Sequence, residues 1–98
     1  MRISSAAMVV FILGVVALGY MHEQAHVEIY RSYGIESHVE YISHFPDLAT
    51  VADEPCEVDA CRSAHNINDI VGYHLFIIYG VIGLMFIYLI VVVEDKRL

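Results

Sequence analysis

Two histidines four residues apart, with a glutamate beside the first, open the chemical reading of this chain: His22-Glu23-Gln24-Ala25-His26. On a helix, side chains at i and i+4 share one face, so both imidazoles can reach a single tetrahedral metal. Glu23 then stands where it can take a proton from water held at that metal. Six histidines in 98 residues make such a match by chance rare, roughly 0.025 per chain of this composition, and its structural context decides its meaning.

A zinc site of this type needs a third protein ligand and keeps its fourth position for water. The second polar cluster, His65-Asn66-Ile67-Asn68-Asp69, offers two candidates, again an i, i+4 pair. Asp69 or His65 is the expected third ligand. Projected at about 100° per residue, His65, Asp69, Gly72, Gly80 and Gly83 fall within about 80° of one another. Small residues let helices approach closely, so this face is expected to meet another helix. Tyr73, one turn beyond Asp69, is the tyrosine placed to donate a hydrogen bond to a transition state. His38 and His44 are further possible ligands from the polar middle, and His74 points nearly opposite, as a packing residue or part of a second site.

Two elements must position these groups. Residues 3–21 and 70–93 are almost free of charge, 19 and 24 residues long. As helices they run roughly 28 and 36 Å, which matches a hydrocarbon core of ~30 Å. Hydrophobic residues make up 58% of the chain and the mean hydropathy is +0.61, which excludes a soluble globule and a disordered tail. The expected fold is an all-α membrane protein, two transmembrane helices forming a hairpin with a polar, partly irregular connector. The whole chain, 1–98, reads as one two-span domain. Its first helix continues to about residue 33, the connector covers 34–63, the second helix 64–93 and a short tail 94–98. Gly34 supplies the residue expected just past a helix C-terminus, and Ser63 and Asn66 are both acceptable N-caps for the second helix. From residue 35 to 45 a helical turn and an alternating strand fit equally, and 47–63 reads as acidic loop.

Arg2, the apolar run and Ala17-Leu18-Gly19 also fit a cleaved signal peptide; the segment is read as a retained anchor. Arg2, Lys96 and Arg97 flank the membrane ends, whereas 22–69 holds ten carboxylates against Arg31 and Arg62. The positive-inside rule therefore places both termini in the cytoplasm and the 22–69 segment on the outer side. There Cys56 and Cys61 could close a small disulfide; free thiols or soft metal ligands are the alternative. A net charge of −7 with five scattered basic residues argues against nucleic acid as a partner.

The stretch from His22 onward resembles the zinc-binding segment of the site-2 protease family, the membrane-embedded metalloproteases. In that family HExxH at the end of an apolar helix is followed by a glycine eight residues past the second histidine and then a short strand. His26 and Gly34 have that spacing here, with Ile35 next and Ile42-Ser43-His44-Phe45-Pro46 further on. The resemblance implies that His22 and His26 are zinc ligands, that Glu23 is the catalytic base, and that a later membrane helix supplies an aspartate ligand. Asp69 is the carboxylate at suitable depth. The segment from Asn66 to Gly72 lacks the proline and the Asp-Gly pair of the family's later motif.

Two other readings use the same letters. Glu23-Gln24-Ala25-His26 is also an ExxH element of the kind di-iron and di-manganese carboxylate bundles draw from each of two helices. A homo-oligomer of two hairpins could assemble such a site with iron or manganese. Alternatively the chain is a non-catalytic accessory subunit of a larger membrane complex, its acidic loop an interaction surface. The leading expectation is a zinc metallopeptidase acting on a membrane-proximal protein or peptide.

Overall fold

Alanine, valine, leucine and isoleucine without a proline propagate a helix from residue 3 through the whole first apolar run. In a computed structural model of the protein, which describes residues 2–41 and 48–97, this is α1 (Ile3–Ser32). It is followed by β1 (Ser37–Tyr41), β2 (Leu48–Ala52) and α2 (Asp59–Arg97). The possible ligand His44, with Ile42, lies outside the described residues. The molecule measures 60 × 24 × 18 Å, a rod made by the two helices side by side. Both helices are long and apolar enough to cross a membrane. Their large side chains, among them Leu13, Ile77, Met85 and Phe86, face outward.

α1 ends where the glycine signal predicts. Gly34 takes φ +77°, and its N–H donates to the Arg31 carbonyl at 3.0 Å while that of Ile35 donates to the Tyr30 carbonyl at 2.9 Å. These two bonds satisfy carbonyls that a helix end otherwise leaves open. The same turn buries Ile35, which with Val27 and Cys61 forms a small core beneath the connector.

The connector corrects the all-α expectation. β1 and β2 pair antiparallel, with Ser37 opposite Ala52, Val39 opposite Thr50 and Tyr41 opposite Leu48. The Asp53 N–H closes the ladder on the Glu36 carbonyl at 3.0 Å. Leu48-Ala49-Thr50-Val51-Ala52 was hidden inside an acidic, breaker-rich stretch, and five residues carry no strand signal of their own until a partner satisfies their backbone. α2 also starts earlier than Ser63 or Asn66, at Asp59. A Cys56–Cys61 disulfide straddles the start of its first turn. Arg62 pairs with Asp59 and donates to the Cys56 carbonyl at 3.0 Å, and Asp59 also suits the positive end of the helix dipole. Together these hold a first turn that Pro55 and the acidic neighbours made hard to foresee.

The helices meet through side chains seated over glycines. Phe11 occupies the space a Cβ at Gly83 would need, and Tyr79 that at Gly14. The Phe11 and Tyr79 rings stack at 5.1 Å, and the Tyr79 hydroxyl donates to the Phe11 carbonyl at 3.1 Å. Gly72 and Gly83 thus do face α1, whereas Gly80 has nothing within 4 Å of an added Cβ. At the far end Arg2 spans Glu94 and Asp95, both at 2.9 Å. The Ser4 hydroxyl donates to Glu94 at 3.0 Å. Ion pairs of this kind contribute only about 0–1 kcal/mol, and they agree with the register that Phe11 over Gly83 and Tyr79 over Gly14 set. That register brings residue 22 level with residue 69.

Candidate metal centre

Four polar side chains converge where α1 leaves its apolar stretch and α2 has not yet entered its own. His22 and His26 lie on one face of α1, their ring centroids 4.8 Å apart and edge to face. Across the helix interface a single oxygen, Asp69 Oδ1, lies 3.1 Å from His22 Nε2 and 2.8 Å from His26 Nε2. One ligand atom from each of the three lies within 4.8 Å of the others. Tetrahedral zinc with bonds near 2.05 Å sets its ligand atoms about 3.3 Å apart. The two distances to Asp69 Oδ1, 3.1 and 2.8 Å, reach that spacing by opening a few tenths of an ångström.

The two candidates for third ligand occupy different places. Asp69 faces the Nε2 atoms of both histidines. His65 meets the opposite edge of His26, with the two Nδ1 atoms 2.6 Å apart and the rings nearly parallel at 4.9 Å. Histidine ligands commonly use their second ring nitrogen on an outer partner that fixes tautomer and ring orientation, and His65 occupies that position. Tyr30 covers its ring at 4.2 Å. The His65 imidazole, N-terminal to the apolar stretch that begins at residue 70, titrates below the usual histidine range. Burial is the main cause, the neighbouring His26 adds to it, and Asp69 opposes it.

His22 is held by its surroundings. The Asn68 amide donates to its backbone carbonyl at 3.2 Å, and its ring fills the gap at Gly72, where an added Cβ would lie 2.3 Å from Nδ1. That nitrogen is buried and has no hydrogen-bond partner among the described residues. Gly72 is therefore part of the site, because any side chain there takes the space of the imidazole.

Glu23 is not drawn into the cluster. Its partner is Thr50 on β2, whose hydroxyl lies 2.6 Å from Oε2 and 2.9 Å from the Glu23 backbone carbonyl oxygen. The single hydroxyl proton serves these two acceptors. Sequence reading missed Thr50 altogether, since nothing in a lone threonine marks it until the hairpin folds back on α1. His22, Glu23 and Tyr73 line one cleft of about 330 Å³, walled by Val15, Leu48 and Phe76. The Tyr73 ring lies 6.4 Å from that of His22. His38 and His74 lie elsewhere: His38 is exposed on β1 beside Glu40 at 3.0 Å, and His74 Nδ1 is 2.8 Å from the Ile70 carbonyl oxygen.

Comparison with protein-family models, curated proteins and solved structures finds no match for this chain.

Thr50 gives a first test. A hydrogen bond to a charged group contributes about 1.5–3 kcal/mol. Thr50→Val keeps strand shape and volume but removes the donor, and thermal or chemical unfolding in detergent is expected to show a loss of about 1.5–3 kcal/mol in stability. Thr50→Ser is expected to restore most of it. Equal loss in both variants would show that Thr50 acts through packing alone.

Proposed function

We propose that this protein is a membrane-embedded zinc metallohydrolase, a minimal peptidase whose metal is held by His22, His26 and Asp69. One observation carries the reading. The carboxylate oxygen that both HExxH histidines face comes from a different helix, 43 and 47 residues away along the chain. Nitrogen plus carboxylate donors from three side chains suit zinc.

A zinc ion held there would act as a Lewis acid and make water more acidic, so that hydroxide becomes available near neutral pH. The remaining roles belong to the chain. Glu23, oriented by Thr50, accepts a proton from the attacking water and passes it to the leaving amine, a general-base role worth roughly 10²–10⁴ in rate. Tyr73, on the rim of the same cleft, is the hydroxyl available to a developing oxyanion. Val15, Leu48 and Phe76 favour an apolar side chain beside the scissile bond. The substrate is a membrane-proximal or unwound segment of a protein, because a helical peptide keeps its carbonyls in internal hydrogen bonds. Engagement of Glu23 by Thr50 favours a base over a ligand, and so supports hydrolysis over a di-metal carboxylate centre.

The apolar, outward-facing helices support two membrane spans. Arg2, Lys96 and Arg97 support cytoplasmic termini with the site at the outer interface. Metal analysis of the purified full chain tests the core of the proposal. Zinc near one per chain is expected, with almost none in His26→Ala. Equal zinc in both would remove the proposed centre.

A further inference from the structure

We propose that reduction of the Cys56–Cys61 disulfide creates a second metal site, formed by the two thiolates and His65 and suited to zinc or cadmium. This site is separate from the His22, His26 and Asp69 cluster and uses a different donor chemistry.

Three observations carry it. Cys61 and His65 are one turn apart on α2, hence on the same helical face, and both sulfurs and a ring nitrogen of His65 lie within 4.8 Å of one another. Cys61 is 1% exposed, so the atoms converge in a water-poor position. His65 Nε2 is itself buried and without a hydrogen-bond partner among the described residues, leaving a ring nitrogen without other work. The two cysteine Cα atoms are 5.7 Å apart. Tetrahedral zinc with Zn–S bonds near 2.3 Å needs sulfurs about 3.8 Å apart, which that backbone spacing permits once the covalent bond is gone.

The chemistry balances with a phosphine as reductant. Two electrons pass from phosphorus to the disulfide and the S–S bond breaks. Water supplies the oxygen of the phosphine oxide, and its two protons complete the two thiols. Metal binding then releases both thiol protons to solvent. The first turn of α2 is thus clasped by a covalent bond when oxidised and by a metal when reduced. The 2.6 Å contact between His65 and His26 places the two centres next to each other.

Cobalt(II) alone is the probe, added to the full chain in detergent before and after phosphine treatment. A thiolate-to-cobalt charge-transfer band is expected in the reduced protein and not in the oxidised one, saturating at one cobalt per chain once the His22 and His26 ligands are removed. His22, His26 and Asp69 offer only nitrogen and oxygen, so they cannot produce that band. It should therefore survive in the His22→Ala/His26→Ala double variant, whether or not the hydrolase reading holds. His65→Ala should weaken cobalt binding at this band by more than the roughly 10–100-fold that losing an outer partner costs a metal site. Absence of the band in the reduced wild-type chain would overturn the site, whatever helix content circular dichroism reports. A band of unchanged affinity in His65→Ala would remove the histidine from it.

Discussion

Glu23→Gln is expected to retain zinc at the wild-type level while hydrolysis of a fluorogenic peptide in proteoliposomes falls roughly 10²–10⁴-fold. The substitution keeps the size of the side chain and an oxygen for the Thr50 hydroxyl, now 2.6 Å from Oε2, but the amide cannot take a proton from water. His26→Ala differs in kind. It removes one of the two imidazoles facing Asp69 Oδ1, so metal and activity should vanish together. The two variants compared give a result neither gives alone. Zinc lost in Glu23→Gln would make Glu23 a ligand, and the di-metal carboxylate chemistry would then replace the hydrolytic one.

Gly72→Ala is the second large effect, and it acts without touching a ligand. The new Cβ would lie 2.3 Å from His22 Nδ1 and 2.6 Å from Cε1, well inside van der Waals contact, so the ring or the helices must move. Overpacking of this kind costs about 1–3 kcal/mol in stability. Turning His22 away from Asp69 should weaken zinc binding by more than the roughly 10–100-fold typical of losing an outer-shell partner. Gly80→Ala provides the control, since nothing lies within 4 Å of its added Cβ. Alanine there should leave metal affinity unchanged and favour the helix by up to ~1 kcal/mol. Competition with a chromophoric chelator reads both. Equal affinity in the two variants would mean that His22 does not depend on the gap at Gly72.

Much of this molecule was legible one residue type at a time. Two uncharged stretches of membrane length dictated two long helices, because the backbone satisfies its own hydrogen bonds that way in apolar surroundings. Gly34 marked the end of α1 because only a residue without Cβ adopts φ +77° freely. The i, i+4 pairs put His22 with His26, and His65 with Asp69, on shared faces before any packing was considered.

What the sequence left open depended on contacts between segments far apart. Local spacing treats His65 and Asp69 alike; only the register of α2 against α1, set by Phe11 over Gly83 and Tyr79 over Gly14, turns Asp69 toward both Nε2 atoms and His65 to the rear of His26. β2 could not be read from Leu48-Ala49-Thr50-Val51-Ala52, since a strand's stability lies in the ladder it shares with β1. Thr50 followed from that pairing alone, for a hydroxyl becomes the partner of a carboxylate only when two segments 27 residues apart are brought within 3 Å. The helices were thus determined locally, by apolar composition and backbone hydrogen bonding. The centre was decided by tertiary register, because coordination and hydrogen bonding require atoms placed to tenths of an ångström, and no single segment sets those distances.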